Sequence, residues 1–132
     1  MRFSQREVKD LVIAGIIISL AFAILLSGGI QGLKNGSAFL IIFVISFFGA
    51  GLGFLLHELM HKYVAQRYGM KAEFQAFYPM LGLALVFSFF GFIFAAPGAV
   101  FIYGFVNRER NGKISVAGPW TNIVLAMVFL VL

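Results

Sequence analysis

The charged residues of this chain divide it into four long apolar stretches that contain no charge. These stretches cover residues 11–30, 38–56, 74–106 and 114–132. The hydrocarbon core of a bilayer is about 30 Å thick, and a helix needs about 20 residues to cross it. The first, second and fourth stretches therefore each have the length of one membrane-spanning helix.

The composition excludes several classes of protein. Hydrophobic residues make up 61% of the 132 residues and charged residues only 11%, whereas about a quarter of a soluble domain is charged. Too few charges remain to cover a water-exposed surface, which excludes a soluble globular protein, a disordered tail and a nucleic-acid binder. The chain has no cysteine, so disulfides and thiolate metal sites are excluded as well. We expect an integral protein of the lipid bilayer with no nucleic-acid partner.

The basic residues predict how the chain is oriented. The N-terminal tail, the 62–73 segment and the 107–113 turn each contain three Lys or Arg residues, whereas the 31–37 loop contains one. Cytoplasmic loops carry an excess of these residues. We therefore expect a multi-pass protein of the cell membrane whose N-terminus is cytoplasmic.

The third stretch is too long for one straight span and is interrupted by glycine and proline. Two short spans or a re-entrant hairpin, broken near Gly91 or Pro97–Gly98, would keep the 107–113 turn on the cytoplasmic side. Such irregular backbone is tolerated where it packs on protein or lines a wet cavity. A single long, tilted helix kinked at Pro97 is the alternative, and the sequence leaves it open.

These patterns together predict an all-α membrane protein. The expected architecture is a multipass transmembrane helix bundle with a re-entrant or broken segment, in a single domain over 1–132. The expected spans are about 11–30, 38–61, 74–106 and 114–132.

Both histidines of the chain lie in one short motif. Residues 57–61 read H-E-x-x-H, with His57 and His61 four residues apart and Glu58 beside the first. Residues i and i+4 share a helix face, so both imidazoles can reach one metal ion. Zn²⁺ accepts such ligands and activates a water molecule. Glu58 would then act as the general base and later as the general acid.

The position of the motif strengthens this interpretation. The apolar stretch 38–56 leads directly into His57, and burying Glu58 with two imidazoles in lipid costs several kcal/mol unless a metal or another partner compensates. The alternative is a helix that reaches the surface after Leu56, with Glu58 and Lys62 forming an ordinary i,i+4 ion pair.

Small residues extend the motif face. Gly49 and Gly53 precede His57 at intervals of four, and this bare face could receive another helix or a substrate segment. Gly118 and Asn122 share a face at the start of the last span. Asn122 there predicts either an interhelical hydrogen bond or a functional role.

These motifs together resemble the site-2 protease family of intramembrane zinc metalloproteases, and its archaeal multipass members most. The resemblance runs from about Gly49 to the C-terminal end of the chain. It includes the residues that follow the H-E-x-x-H motif as far as Gly69, and the stretches 96–100 and 111–119. It implies that His57 and His61 are zinc ligands and that Glu58 is the catalytic acid and base. It also implies that Gly118 and Asn122 help to position the substrate, a transmembrane segment of another membrane protein cut near the cytoplasmic face.

One departure from the family pattern concerns the third metal ligand. The family uses an Asp on a later membrane helix, but no Asp follows Asp10 here, and the acid nearest the motif on its C-terminal side, Glu73, lies in a polar segment. We expect the chain to be an N-terminal fragment and the third ligand to lie beyond Leu132. Two alternatives remain: a catalytically silent relative that acts as a membrane scaffold, and a metal or haem carrier. The haem carrier is the weaker, because two histidines four apart on one helix cannot bracket a haem from opposite faces.

Overall fold

The computed structural model of the chain describes residues 2–29, 34–93, 97–104 and 107–132. The helices and strands of this described part, in chain order, are α1 (Gln5–Leu26), α2 (Gly36–Ser46), a π-helical segment (Phe47–Gly51), α3 (Leu52–Arg67), β1 (Lys71–Ala76), α4 (Tyr78–Phe89), β2 (Gly98–Tyr103) and α5 (Arg108–Val131).

Within the described residues, three helices are long and apolar enough to span a membrane. They are Gln5–Leu26, the continuous helix Gly36–Arg67 formed by α2, the π-helical segment and α3, and Arg108–Val131. The predicted all-α membrane fold is confirmed at this level. The observed bounds differ from the predicted spans because each helix continues past the charged residues that were taken as its ends.

The long stretch 74–106 is broken, as one of the two sequence-based alternatives predicted. Its longest helix is α4, with 12 residues, and this helix ends shortly before Gly91, whose φ of +93° suits glycine. Residues 94–96, which adjoin the predicted break at Pro97, lie outside the described part of the chain. The single kinked helix is therefore not the structure of this segment.

Two strands that the sequence analysis did not predict flank α4, and the first of them begins at Lys71, before the apolar stretch. β1 and β2 pair antiparallel, from Lys71 opposite Tyr103 to Ala76 opposite Gly98. The chain thus leaves α3 along β1, passes through α4 and returns along β2 before entering α5. We call β1 and β2 together the hairpin.

Helix α1 forms the centre of the packing. Its residues Leu11, Ala14 and Ile18 are buried with Phe74 of β1 and Leu81 of α4. α1 also contacts α2, the π-helical segment and β1. α1 therefore packs against the hairpin through β1, and α3 contacts both strands of the hairpin.

Helix α5 lies against α3 and leaves its other faces exposed. Its N-terminus is capped by Asn107, whose side chain accepts the backbone N–H of Arg110 at 2.8 Å. Ile114, Ala117 and Gly118 are the buried residues of the helix. This pairing brings the start of α5 against the H-E-x-x-H turn of α3.

Candidate metal centre

The two histidines of the motif converge on one point. His57 and His61 lie one turn apart on α3, and their Nε2 atoms are 3.1 Å apart. Their rings stand nearly perpendicular, with an interplanar angle of 78°. The geometry predicted from the i,i+4 spacing is thus present in the structure.

Helix α5 fixes the orientation of both rings through their Nδ1 atoms. His61 Nδ1 lies 2.7 Å from the backbone carbonyl oxygen of Ile114, which can only accept a hydrogen bond. Nδ1 of His61 is therefore the protonated nitrogen, and its Nε2 carries a lone pair.

Asn122 fixes His57 in the same way. Its amide nitrogen donates to the carbonyl of Gly53 at 3.1 Å, which turns the amide oxygen toward Nδ1 of His57 at 2.5 Å. The oxygen accepts the Nδ1 proton, so Nε2 of His57 also carries a lone pair. Asn122 thus forms the interhelical hydrogen bond that the sequence allowed, and one of its partners is a histidine of the motif.

Gly118 lets the backbone of α5 approach the two rings closely. A Cβ atom added to Gly118 would lie 2.6 Å from Nε2 of His57 and still closer to Nε2 of His61, well inside ordinary van der Waals contact. Only a glycine permits so close an approach of the α5 backbone to both Nε2 atoms. The structure therefore places Gly118 and Asn122 at the histidines themselves; their predicted role toward a substrate stays a prediction.

The donor set fits a zinc ion. Two imidazole lone pairs 3.1 Å apart repel each other unless a cation lies between them. Tetrahedral coordination with Zn–N bonds of about 2.0–2.1 Å separates two nitrogens by roughly 3.3 Å. His57 and His61 could therefore hold Zn²⁺ with little movement of their rings.

A third protein ligand is not found in the part of the chain that the structure describes. No group of three His, Cys, Asp or Glu residues in that part could hold a metal. Glu73 instead accepts a hydrogen bond from Ser4 Oγ at 3.1 Å, near the start of α1. The expectation of a third ligand beyond Leu132 stays a prediction.

Glu58 is buried beside the histidines, with 8% of its surface exposed. Its carboxylate accepts a hydrogen bond from the backbone N–H of Val100 in β2. On an exposed helix, Glu58 would pair with Lys62. In the structure, Lys62 instead pairs with Glu7 of α1 at 2.5 Å. The alternative of a motif lying on an exposed helix with a Glu58–Lys62 pair is therefore wrong.

Sequence reasoning named five candidate residues, and the structure groups four of them directly. His57 contacts His61 and Asn122, and Gly118 lies against both histidine rings, while Glu58 faces the hairpin. The contributions of Ile114 and Val100 were missed. Both act through backbone groups, which every residue type possesses, so the sequence gives no signal for them.

The chain is similar to two archaeal proteins that are named as zinc metalloproteases. It is 44% identical over 133 residues to a protein of Methanocaldococcus jannaschii named "Putative zinc metalloprotease MJ0611", an alignment that covers 99% of this chain and 64% of that protein. It is 26% identical over 103 residues to "Zinc metalloprotease MJ0392" of the same organism, covering 78% of this chain and 24% of that protein. The chain thus spans less than two thirds of the length of each of these relatives.

No protein-family model matches the chain, and no solved structure matches it. The two relatives nevertheless confirm the kinship predicted from the motifs. The chain is homologous to archaeal zinc metalloproteases, in agreement with a site-2 protease-like family.

Proposed function

We propose that the chain forms the zinc-binding core of an intramembrane metalloprotease. It would hydrolyse a peptide bond in a transmembrane segment of another membrane protein, near the cytoplasmic face. The observation that supports this most is the convergence of the two Nε2 atoms beside Gly118. Their orientation is fixed from behind by Ile114 and Asn122.

Each motif residue has a defined task in this proposal. His57 and His61 would hold Zn²⁺ through Nε2, and the ion would supply Lewis acidity toward a carbonyl and a water molecule. Glu58 accepts the proton of the attacking water and passes it to the departing amine. The N–H of Val100 holds the Glu58 carboxylate in place.

The hairpin offers a way to present a peptide in the extended form that hydrolysis needs. In the observed register, Gly98, Val100 and Ile102 point their backbone groups away from β1. Among the described residues no other backbone group pairs with this edge, and Val100 on it contacts Glu58. A substrate segment that unwinds and pairs with β2 would therefore lie beside the general base.

The proposed membrane orientation follows from the charges near the site. Arg67 ends α3 on the C-terminal side of His61, and Arg108, Arg110 and Lys113 lie at the start of α5. The positive-inside rule assigns this end of both helices to the cytoplasm. We accordingly propose a multi-pass protein with a cytoplasmic N-terminus.

The substitution Glu58→Gln in the full-length protein tests the proposal. It removes the proton acceptor but no zinc ligand, so zinc content should be unchanged while cleavage of a membrane-protein substrate is lost. Glu109→Gln is the matched control, because Glu109 is exposed and forms a surface ion pair with Lys113, away from the histidines. Unchanged cleavage by Glu58→Gln would refute the assignment, and intact function after replacing both histidines with Ala would indicate a non-enzymatic scaffold.

A further inference from the structure

The outer edge of β1 is occupied by side chains rather than by another strand. Ala72, Phe74 and Ala76 stand opposite Ile102, Val100 and Gly98 in the register, and their backbone groups point away from β2. An edge of this kind would normally attract a further strand. Here two carboxylates of α1 and one ammonium group of α3 fill it.

The carboxylates of Glu7 and Asp10 match the spacing of the strand. Glu7 accepts the N–H of Phe74 at 2.8 Å, and Asp10 accepts the N–H of Ala76 at 3.0 Å. Asp10 also accepts the hydroxyl proton of Tyr78 at the start of α4. Residues three apart lie on one helix face and are separated by about 4.5 Å along the helix axis. Alternate residues of a strand are roughly 6.7 Å apart. The two distances are close enough for both carboxylates to reach their N–H groups.

Lys62 completes the network from α3. Its ammonium group donates to both oxygens of Glu7, at 2.5 and 2.7 Å, and to the carbonyl of Ala72 at 2.8 Å. Lys62 is 2% exposed and Glu7 1% exposed, so the charges are removed from water. Because Lys62 follows His61 directly, the network connects the histidine turn to the hairpin.

We propose that Glu7, Asp10 and Lys62 are positioning residues that hold the hairpin by its β1 edge. The outer edge of β2, which lies beside Glu58, is then the edge with which a substrate strand can pair. A buried ion pair costs desolvation that apolar side chains would avoid, so its hydrogen bonds to the strand explain it better than stability does. The inference rests on the proposed protease function, because a substrate defines what is being positioned.

Two double variants of the full-length protein separate positioning from simple charge pairing. Glu7→Gln with Lys62→Gln removes both charges but keeps an acceptor for Phe74 and a donor for Ala72. Glu7→Lys with Lys62→Glu keeps the ion pair but reverses it, so that neither strand contact can form. We expect the glutamine pair to cleave a membrane-protein substrate with nearly wild-type KM.

The reversed pair should raise KM roughly tenfold, as expected if about one molecule in ten still holds the hairpin correctly, with kcat and zinc content close to wild type. Asp10→Ala, which leaves no uncompensated charge, should raise KM in the same direction. If the variant with the reversed pair has the wild-type KM, charge pairing alone explains the network and the proposal fails. If all three variants change only the melting temperature, its role is structural and the proposal fails.

A distance measurement tests the same inference without any cleavage. The chain has no cysteine, so Tyr63→Cys on α3 and Tyr103→Cys on β2, both at exposed positions, can carry spin labels in otherwise wild-type protein. The distance distribution should be narrow in this background and with the glutamine pair, and broad with the reversed pair. Identical distributions in all three would overturn the inference. If the distance distributions are as predicted but the protein cleaves no membrane substrate, the proposed function is refuted while the positioning role of the network stands.

Discussion

Replacing Gly118 with Ala tests whether metal binding requires the two histidine rings in the positions that the structure gives them. The new methyl group would lie 2.6 Å from Nε2 of His57 and closer still to Nε2 of His61. Ordinary contact begins at 3.4 Å, so the rings and the methyl group must separate by roughly 1 Å. Displacement of a catalytic geometry by about 1 Å costs on the order of 100-fold in rate, which corresponds to about 2.7 kcal/mol.

The fold itself should tolerate this substitution better than the site does. Alanine is favoured over glycine in a helix by about 1 kcal/mol, which offsets part of the crowding at Gly118. We therefore expect Gly118→Ala to remain folded in detergent or lipid. Its zinc affinity should fall by at least 10–100-fold, the range seen when the support of a metal ligand is removed.

The assay is zinc titration of the purified full-length protein, with circular dichroism to show that the helices persist. Gly112→Ala is the matched control, because Gly112 lies in the same helix and a Cβ there has nothing within 4 Å. The control should bind zinc as the wild type does. Wild-type zinc affinity and cleavage in Gly118→Ala would refute the reasoning, because the histidines could not then converge where the structure places them.

Three further predictions concern the supports of the site and its metal. Asn122→Ala should lower zinc affinity by roughly 10–100-fold, measured by competition with a chelating dye, and an unchanged affinity would mean that His57 needs no orienting partner. Gly51→Ala should destabilise the protein by about 1–3 kcal/mol, because the new Cβ would collide with Ser19 on α1. Gly49→Ala is the control, since a Cβ there has nothing within 4 Å. Equal melting temperatures of the two variants would contradict the close approach of the π-helical segment to α1. Removing zinc with a chelator should lower the unfolding free energy by about 4 kcal/mol if zinc is present at 1,000 times its Kd, and an unchanged thermal melt would argue against a bound ion.

The membrane helices and the histidine pair could be predicted because both depend on local patterns. Uncharged stretches of about 20 residues suffice to identify a span, and the i,i+4 spacing of His57 and His61 fixes their common face. The helix ends were harder. Lys62 was taken to lie outside the apolar span, but it is buried and paired with Glu7, so its charge marks no helix end.

The pairing of β1 with β2 could not be predicted from local patterns. β1 does carry the main sequence signal of a strand, a strict alternation of polar and apolar residues from Lys71 to Ala76, and this signal was missed. β2 carries no such signal. β2 is apolar on both faces, from Gly98 to Tyr103. The strands form because α1 and α3 supply hydrogen-bond partners for the outer edge of β1. In one such pair, Glu7 and Phe74 are more than 50 residues apart in sequence. Long-range contacts of this kind leave no local trace.

X-ray absorption at the zinc edge of the purified full-length protein tests the central claim most directly. The account predicts one zinc per chain, with two imidazole nitrogens at about 2.0–2.1 Å and loss of the imidazole signal when His57 and His61 are both replaced with Ala. A zinc ion with no imidazole in its coordination shell, or a spectrum unchanged in the double variant, would contradict it.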